Sequence, residues 1–153
     1  MQFPGFIRPA SSGDIPAIDA LLKAAFGGSE EVALVHALRR DGAIRGEQVI
    51  PLGDEIIGYY ALSAMKSPAG WLCLAPVAIA PGWQGRGHGR RLVSQLAFYA
   101  KAGFVAAAAA ALTSPYPVAQ TLLAGAGGKV PPQKLIYPAA FGKGPTAPKN
   151  ASA

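Results

Sequence analysis

From Trp71 to Ala80 the chain carries no charged side chain, and it then runs through Pro81-Gly82-Trp83 into Gln84-Gly85-Arg86-Gly87-His88-Gly89-Arg90-Arg91. An apolar run of this kind, as a strand, is buried on both faces and belongs inside a sheet. Pro76 interrupts it. Proline cannot donate to a ladder, so the strand must bulge there or lose its partner on that side. The turn that follows has glycine at 85, 87 and 89, and Leu92, Val93, Leu96, Ala97 and Ala100 then recur at helical spacing. A glycine-rich turn between a buried strand and a helix exposes successive backbone N–H groups, a recipe for holding phosphate. Arg86, Arg90 and Arg91 add charge-assisted donors.

Two phosphate-loop types are excluded by what surrounds the glycines. A dinucleotide fingerprint needs a glycine where Arg90 stands and an acid about 20 residues later, and no acid follows Glu55 anywhere in the chain. A P-loop needs Gly-Lys-Ser/Thr and a later carboxylate for magnesium, both absent. The same lack of acids splits the charge. All eight carboxylates lie in residues 1–55 beside five basic residues, whereas residues 56–153 hold nine Lys or Arg and no acid. A one-sign field attracts anions: nucleic acid, a membrane surface or a phosphate-bearing small molecule. Nucleic acid is disfavoured, because the arginines cluster at one loop rather than interleaving with aromatics along a face.

The chain's 153 residues suit one domain, read as residues 1–141 with a flexible tail over 142–153. The single Cys73 excludes a disulfide scaffold and a zinc site, and reads as a small core group. Met1–Ala10 holds no apolar run of signal-peptide length and no run anywhere reaches membrane-spanning length, so a cytoplasmic protein without membrane contact is expected. Phe6-Ile7-Arg8 reads as an opening strand. Asp14 is placed as the cap of a helix with Pro16 in its first turn, Ile18, Leu21, Leu22, Ala25 and Phe26 on one face, and Gly27-Gly28 at its end. Ser29 opens a second helix that buries Val32, Val35 and Leu38 and closes at Arg39-Arg40. Gln48–Leu52 and Ile56–Met65 flank Gly53-Asp54-Glu55 as a hairpin. Beyond Gly103, the spacing predicts a strand from Phe104 to Leu112, a short helix from Pro117 to Ala124 and a last strand from Lys134 to Tyr137.

Gln84-x-x-Gly87-x-Gly89, after Val77-Ala78-Ile79-Ala80-Pro81, resembles the acyl-CoA pyrophosphate loop of the GCN5-related N-acetyltransferases, the GNAT family. The element order resembles that family over about residues 6–140: strand, two helices, hairpin, central strand, glycine loop, helix, strand, helix, strand. Leu112-Thr113-Ser114-Pro115-Tyr116 and Tyr137-Pro138-Ala139-Ala140-Phe141 are similar to segments of its small bacterial branch, although the Gly-Asp pair usual before Pro115 is absent. The run Phe98-Tyr99-Ala100-Lys101-Ala102-Gly103-Phe104 looks like a signature many relatives carry on a later helix. It follows Gly89 too closely for that and reads as the end of the loop helix.

The resemblance implies an α/β fold of the α+β, mixed-sheet kind, with a splayed central sheet flanked by helices. It implies acetyl-CoA as co-substrate, no metal, and backbone contacts from Val77, Ala78 and Ile79 to pantetheine. The pyrophosphate contacts it implies fall on Gln84, Gly85, Arg86, Gly87, His88, Gly89 and Arg90. The activity implied is direct acetyl transfer to a primary amine, on a small molecule or a peptide, with Tyr116 as general acid and a homodimer as a conceivable assembly. The central strand lacks the glutamate the family often uses as base, leaving Glu55, a water, or an imidazole such as His36 or His88. The alternative is a GNAT-like protein that binds acyl-CoA without turnover, as a sensor or partner module.

Overall fold

Ile15–Phe26 forms α1, and local chemistry sets both its ends. Pro16 occupies the first turn, where a missing N–H costs nothing. Gly27 closes the helix at φ 76°, its N–H donating to Lys23 O at 2.9 Å. The Asp14 carboxylate does not cap α1 as the sequence suggests. Its Oδ2 accepts from the Ser11 N–H at 2.8 Å, and Arg8 donates to both of its oxygens at 2.7 and 2.9 Å. A two-pronged guanidinium bond outcompetes a neutral backbone donor, and it holds the Asp14 carboxyl well below the usual carboxylate range. Helix α2, Glu30–Arg40, starts after Ser29 as expected and buries Val35 and Leu38.

The computed structural model describes residues 3–66, 70, 72–94, 104–106, 112–113, 121–124, 133–134 and 139–141. Strands β1 (Arg8–Pro9), β2 (Ile44–Leu52), β3 (Glu55–Ala64) and β4 (Leu72–Ile79) are followed by helix α3 (His88–Ser94) and by strands β5 (Phe104–Ala106), β6 (Leu112–Thr113), β7 (Thr121–Ala124) and β8 (Gln133–Lys134). The main sheet has the order β1-β2-β3-β4-β7-β5, and every described pairing within it is antiparallel. The parallel pairing described is β6 with β8, apart from that sheet. The fold is α/β, with helices against the sheet, as the resemblance implies.

Two apolar layers position the site. The period of two along a strand sends Tyr59, Ala61 and Ala78 to the face covered by α1 and α2, where they meet Ile18, Leu22 and Val35. Tyr60, Leu62, Val77 and Ile79 point to the opposite face and pack with Leu92 of α3. Every residue of β4 is buried, which the apolar run predicted.

Pro76 acts where the sequence predicts a fault. Tyr60 pairs with Val77 and Leu62 with Leu74, so Ala61 alone opposes both Ala75 and Pro76, the two-against-one count of a bulge. Along the other edge of β4 the described pairing covers Leu72 and Cys73, opposite Leu122 and Thr121.

Three further sequence expectations are corrected. The single strand expected from Phe104 to Leu112 is not one strand, since β5 (Phe104–Ala106) lies in the main sheet and β6 (Leu112–Thr113) pairs with β8 apart from it. Phe6 is not in a strand: it is 92% exposed, and β1 is confined to Arg8–Pro9. Pro4 and Pro9 carry no N–H, so the ladder along β2 is held instead by Gly5 N to Pro51 O at 2.7 Å and Ala10 N to Glu47 O at 3.0 Å. Thr121–Ala124 is a strand between β4 and β5 rather than the end of a helix. A helix this short gains little by itself, while the segment as a strand finds partners on both sides. The Phe98–Gly103 run, Tyr116, Leu135–Tyr137 and the 142–153 tail lie outside the described residues.

Candidate functional site

The glycine turn leaves β4 through a short 3-10 turn, Pro81–Trp83, and enters α3 at His88. Gly85 has φ 74° and Gly87 φ 85°, in the left-handed region that side chains rarely adopt. Both are exposed, and a Cβ at either would meet open space, so backbone conformation rather than crowding calls for glycine there. Gly89 is buried within α3.

Gln84 anchors the loop. Its Nε2 donates to Ile79 O at 3.0 Å, tying the first residue of the motif to the end of the central strand. The Ile79 carbonyl is thereby occupied.

The three arginines separate once they are placed. Arg86 is exposed and lies over the Trp83 ring, its guanidinium carbon 4.9 Å from the ring centroid. Arg90 is exposed on α3. Arg91 is half-buried and turns back, donating Nη2 to Gly5 O at 3.2 Å and placing Nη1 3.2 Å from His88 Nδ1. Arg91 therefore ties α3 to the N-terminal segment.

His88 stands between these groups, with its ring 5.5 Å from that of Trp83 in an edge-on contact. Burial, then the Arg91 and Arg86 charges, push its pKa below the ordinary histidine value. A neutral imidazole flanked by two cations suits a site that receives negative charge.

Other candidates fall elsewhere. His36 Nε2 lies 2.8 and 2.9 Å from the two Asp19 oxygens and joins α2 to α1. Cys73 is fully buried, and burial pushes its thiol up to about 12, so it is a core group. Glu55 is exposed at the start of β3, beyond the Gly58–Ile79 pairing and away from the bulge. Among the described residues no group of three His, Cys, Asp or Glu side chains could hold a metal ion, and no helix is long and apolar enough to cross a membrane.

One carboxylate in register with the bulge was not singled out by sequence. Glu47 on β2 pairs with Ala61, the residue opposite Ala75 and Pro76. Its Oε1 accepts from the Tyr59 hydroxyl at 2.5 Å and from Arg39 Nε and Nη2 at 3.1 and 2.7 Å. These three bonds tie Oε1 to the neighbouring strand and to α2. Nothing local in the sequence marks this triad, because its members meet only when β2, β3 and α2 are assembled.

Residues 15–115 match the family described as the Acetyltransferase (GNAT) family. Over 85 residues the chain is 38% identical to the uncharacterized N-acetyltransferase YhbS of Escherichia coli, a stretch covering 52% of this chain and 50% of that protein. The chain thus aligns with about half the length of that curated relative. In three dimensions it is similar to the crystal structure of YhbS from E. coli in complex with CoA, with a TM-score of 0.74 and 26% identity over 94% of each chain. It is also similar to a GNAT family acetyltransferase from Brucella melitensis in complex with acetyl-CoA, with a TM-score of 0.66 and 26% identity over 89% of this chain and 97% of that one. With the glycine loop seated between a bulged central strand and α3, and a family match spanning more than half its length, the chain belongs to the GNAT acetyltransferase family.

Proposed function

We propose that this protein binds acetyl-CoA at the Gln84–Arg90 loop and transfers the acetyl group to a primary amine. The observation that carries the reading is the exposed, left-handed backbone at Gly85 and Gly87, clamped by Gln84 to the end of β4. The fit is chemical as well as geometric: exposed Arg86 and Arg90 and a neutral His88 surround a loop without a carboxylate. Both similar crystal structures hold the coenzyme, as CoA or acetyl-CoA.

In this reading Val77, Ala78 and Ile79, which pair with β3 along one edge of β4, line the pantetheine arm along the other, beyond the described β4–β7 pairing at Leu72 and Cys73. The amine nitrogen attacks the thioester carbonyl carbon, and a β4 backbone N–H stabilises the oxyanion. The C–S bond then breaks, its electron pair leaves on sulfur, and the Tyr116 hydroxyl gives its proton to the thiolate and regains one from solvent. Glu47 Oε1 is taken up by Arg39 and Tyr59, and in this reading the amine gives up its proton to water or to a group outside the described residues. That engagement of Glu47 also favours a second reading, coenzyme binding without efficient turnover.

Calorimetric titration with acetyl-CoA tests the binding. Saturable binding that survives moderate salt and weakens in Gly87→Val supports both readings, and absence of binding overturns both. Thiol release from acetyl-CoA across an amine panel then separates enzyme from sensor. An unchanged rate in Tyr116→Phe removes Tyr116 from the mechanism.

A further inference from the structure

We propose that the groove between α1 and the tip of the β2–β3 hairpin binds a small organic ammonium ion with an apolar body. The groove has a volume of about 560 Å³, within the ~300–1,000 Å³ of small-molecule sites. Ala17 and Ala20 of α1 leave room along one wall, Leu21 and Ile56 supply apolar surface, and Trp83 closes the end nearest β4.

Among the described residues, the charged side chains lining it are two acids, Asp54 and Glu55. Asp14, Asp19, Asp41 and Glu47 are each held by a basic side chain, and Asp54 and Glu55 are in none of those pairs. Two exposed carboxylates at the mouth of an apolar groove repel anions and reward a cation, in a chain whose net charge is +6. Arg86 lies over the Trp83 ring and opposes a second cation at that end. The ammonium group therefore belongs at the hairpin tip, with the apolar body directed toward Trp83.

The groove is lined by Leu21 and Ile56 of the α1-face layer and reaches Ile57 and Trp83 of the layer that packs with α3. The inference does not rest on the acetyl-transfer reading: an ammonium held at the hairpin tip lies beyond the Gly58–Ile79 pairing, away from the bulge.

The test is a titration of the full chain with phenethylammonium chloride at pH 7 and low salt, followed by amide and indole NMR shifts without coenzyme. The expected result is saturable binding with shifts at α1, the hairpin tip and the Trp83 indole. Two contrasts should each weaken it about tenfold, the Asp54→Asn/Glu55→Gln double variant and 2-phenylethanol as the uncharged ligand. Ala20→Trp, which fills the groove from an exposed helical position, should abolish it. No saturable binding, equal binding of the alcohol, or shifts elsewhere overturns the proposal. The alcohol arm uses the unaltered protein, so it stands even if a variant fails to fold. Titrating the same samples with acetyl-CoA separates failure of the groove from failure of the coenzyme reading.

Discussion

Gln84 Nε2 donates to Ile79 O at 3.0 Å, joining the first residue of the glycine loop to the last residue of the central strand. Gln84→Ala leaves that carbonyl without its donor and frees the loop entrance. Net, such a bond is worth about 1 kcal/mol, so acetyl-CoA affinity should fall several-fold. Gln84→Glu should fall further, since a carboxylate faces the same carbonyl and adds negative charge to a phosphate loop. Calorimetric affinities equal to that of the parent protein in both variants would remove Gln84 from loop positioning.

In the proposed acetyl-CoA site, His88 should make coenzyme binding pH-dependent. Its folded pKa lies below the ordinary value of about 6.5, because of burial and the Arg91 and Arg86 charges. The unfolded chain therefore holds the proton more readily. Its contribution to stability is complete above about 6.5 and is lost as pH falls through the lower folded value. Phosphate arriving beside the ring reverses the shift, so binding near pH 6 should take up protons. Calorimetry in buffers of different ionisation enthalpy reads that uptake. His88→Asn should abolish it, and uptake persisting in that variant would assign the proton elsewhere.

Gly58 stands between two fully buried isoleucines on neighbouring strands. A Cβ there would lie 2.8 Å from Ile50 Cδ1 and 3.2 Å from Ile79 Cδ1. Gly58→Ala should cost about 1–3 kcal/mol. Ile50→Val deletes the closest methyl, so the double variant should be more stable than the two single losses added together. Urea denaturation of the four proteins checks this, and strict additivity would show that Gly58 is not constrained by Ile50.

The Tyr59 hydroxyl, fully buried, and the Arg39 guanidinium share Glu47 Oε1. Tyr59→Phe removes one charge-assisted bond and should cost about 1.5–3 kcal/mol. Glu47→Ala should cost more, because it strands the hydroxyl and leaves Arg39 without its carboxylate. Burial, with the Glu47 charge and hydrogen bond, raises the Tyr59 pKa well above its ordinary value. Ultraviolet titration should then show this tyrosine ionising only with unfolding, and a normal titration in the folded protein would contradict the burial.

Much of the fold was legible because its signals are local. Pro16 and Gly27 mark the ends of α1, Gly53 at φ 59° turns the β2–β3 hairpin, and the charge-free run to Ala80 announces a strand buried throughout. Pro76 announces its bulge for an equally local reason, the missing N–H. The glycines of the loop belong to the same class, since a left-handed backbone selects its residue directly.

What escaped the sequence depends on partners far along the chain. Arg91 looks like a third phosphate donor until α3 packs and Gly5 O, 86 positions away, comes within reach. Thr121–Ala124 suits either a short helix or a strand, and pairing with β4 and β5 decides it. Glu47 meets Arg39 and Tyr59 only through the assembled sheet and α2, and Asp54 and Glu55 face a groove only because α1 lies across from the hairpin tip. Backbone chemistry at single residues determined α1, α2, the β2–β3 hairpin, β4 and the loop by sequence alone. Which charges are free, which are tied down and where a ligand fits are sums over contacts between distant segments, and only the tertiary structure fixes those.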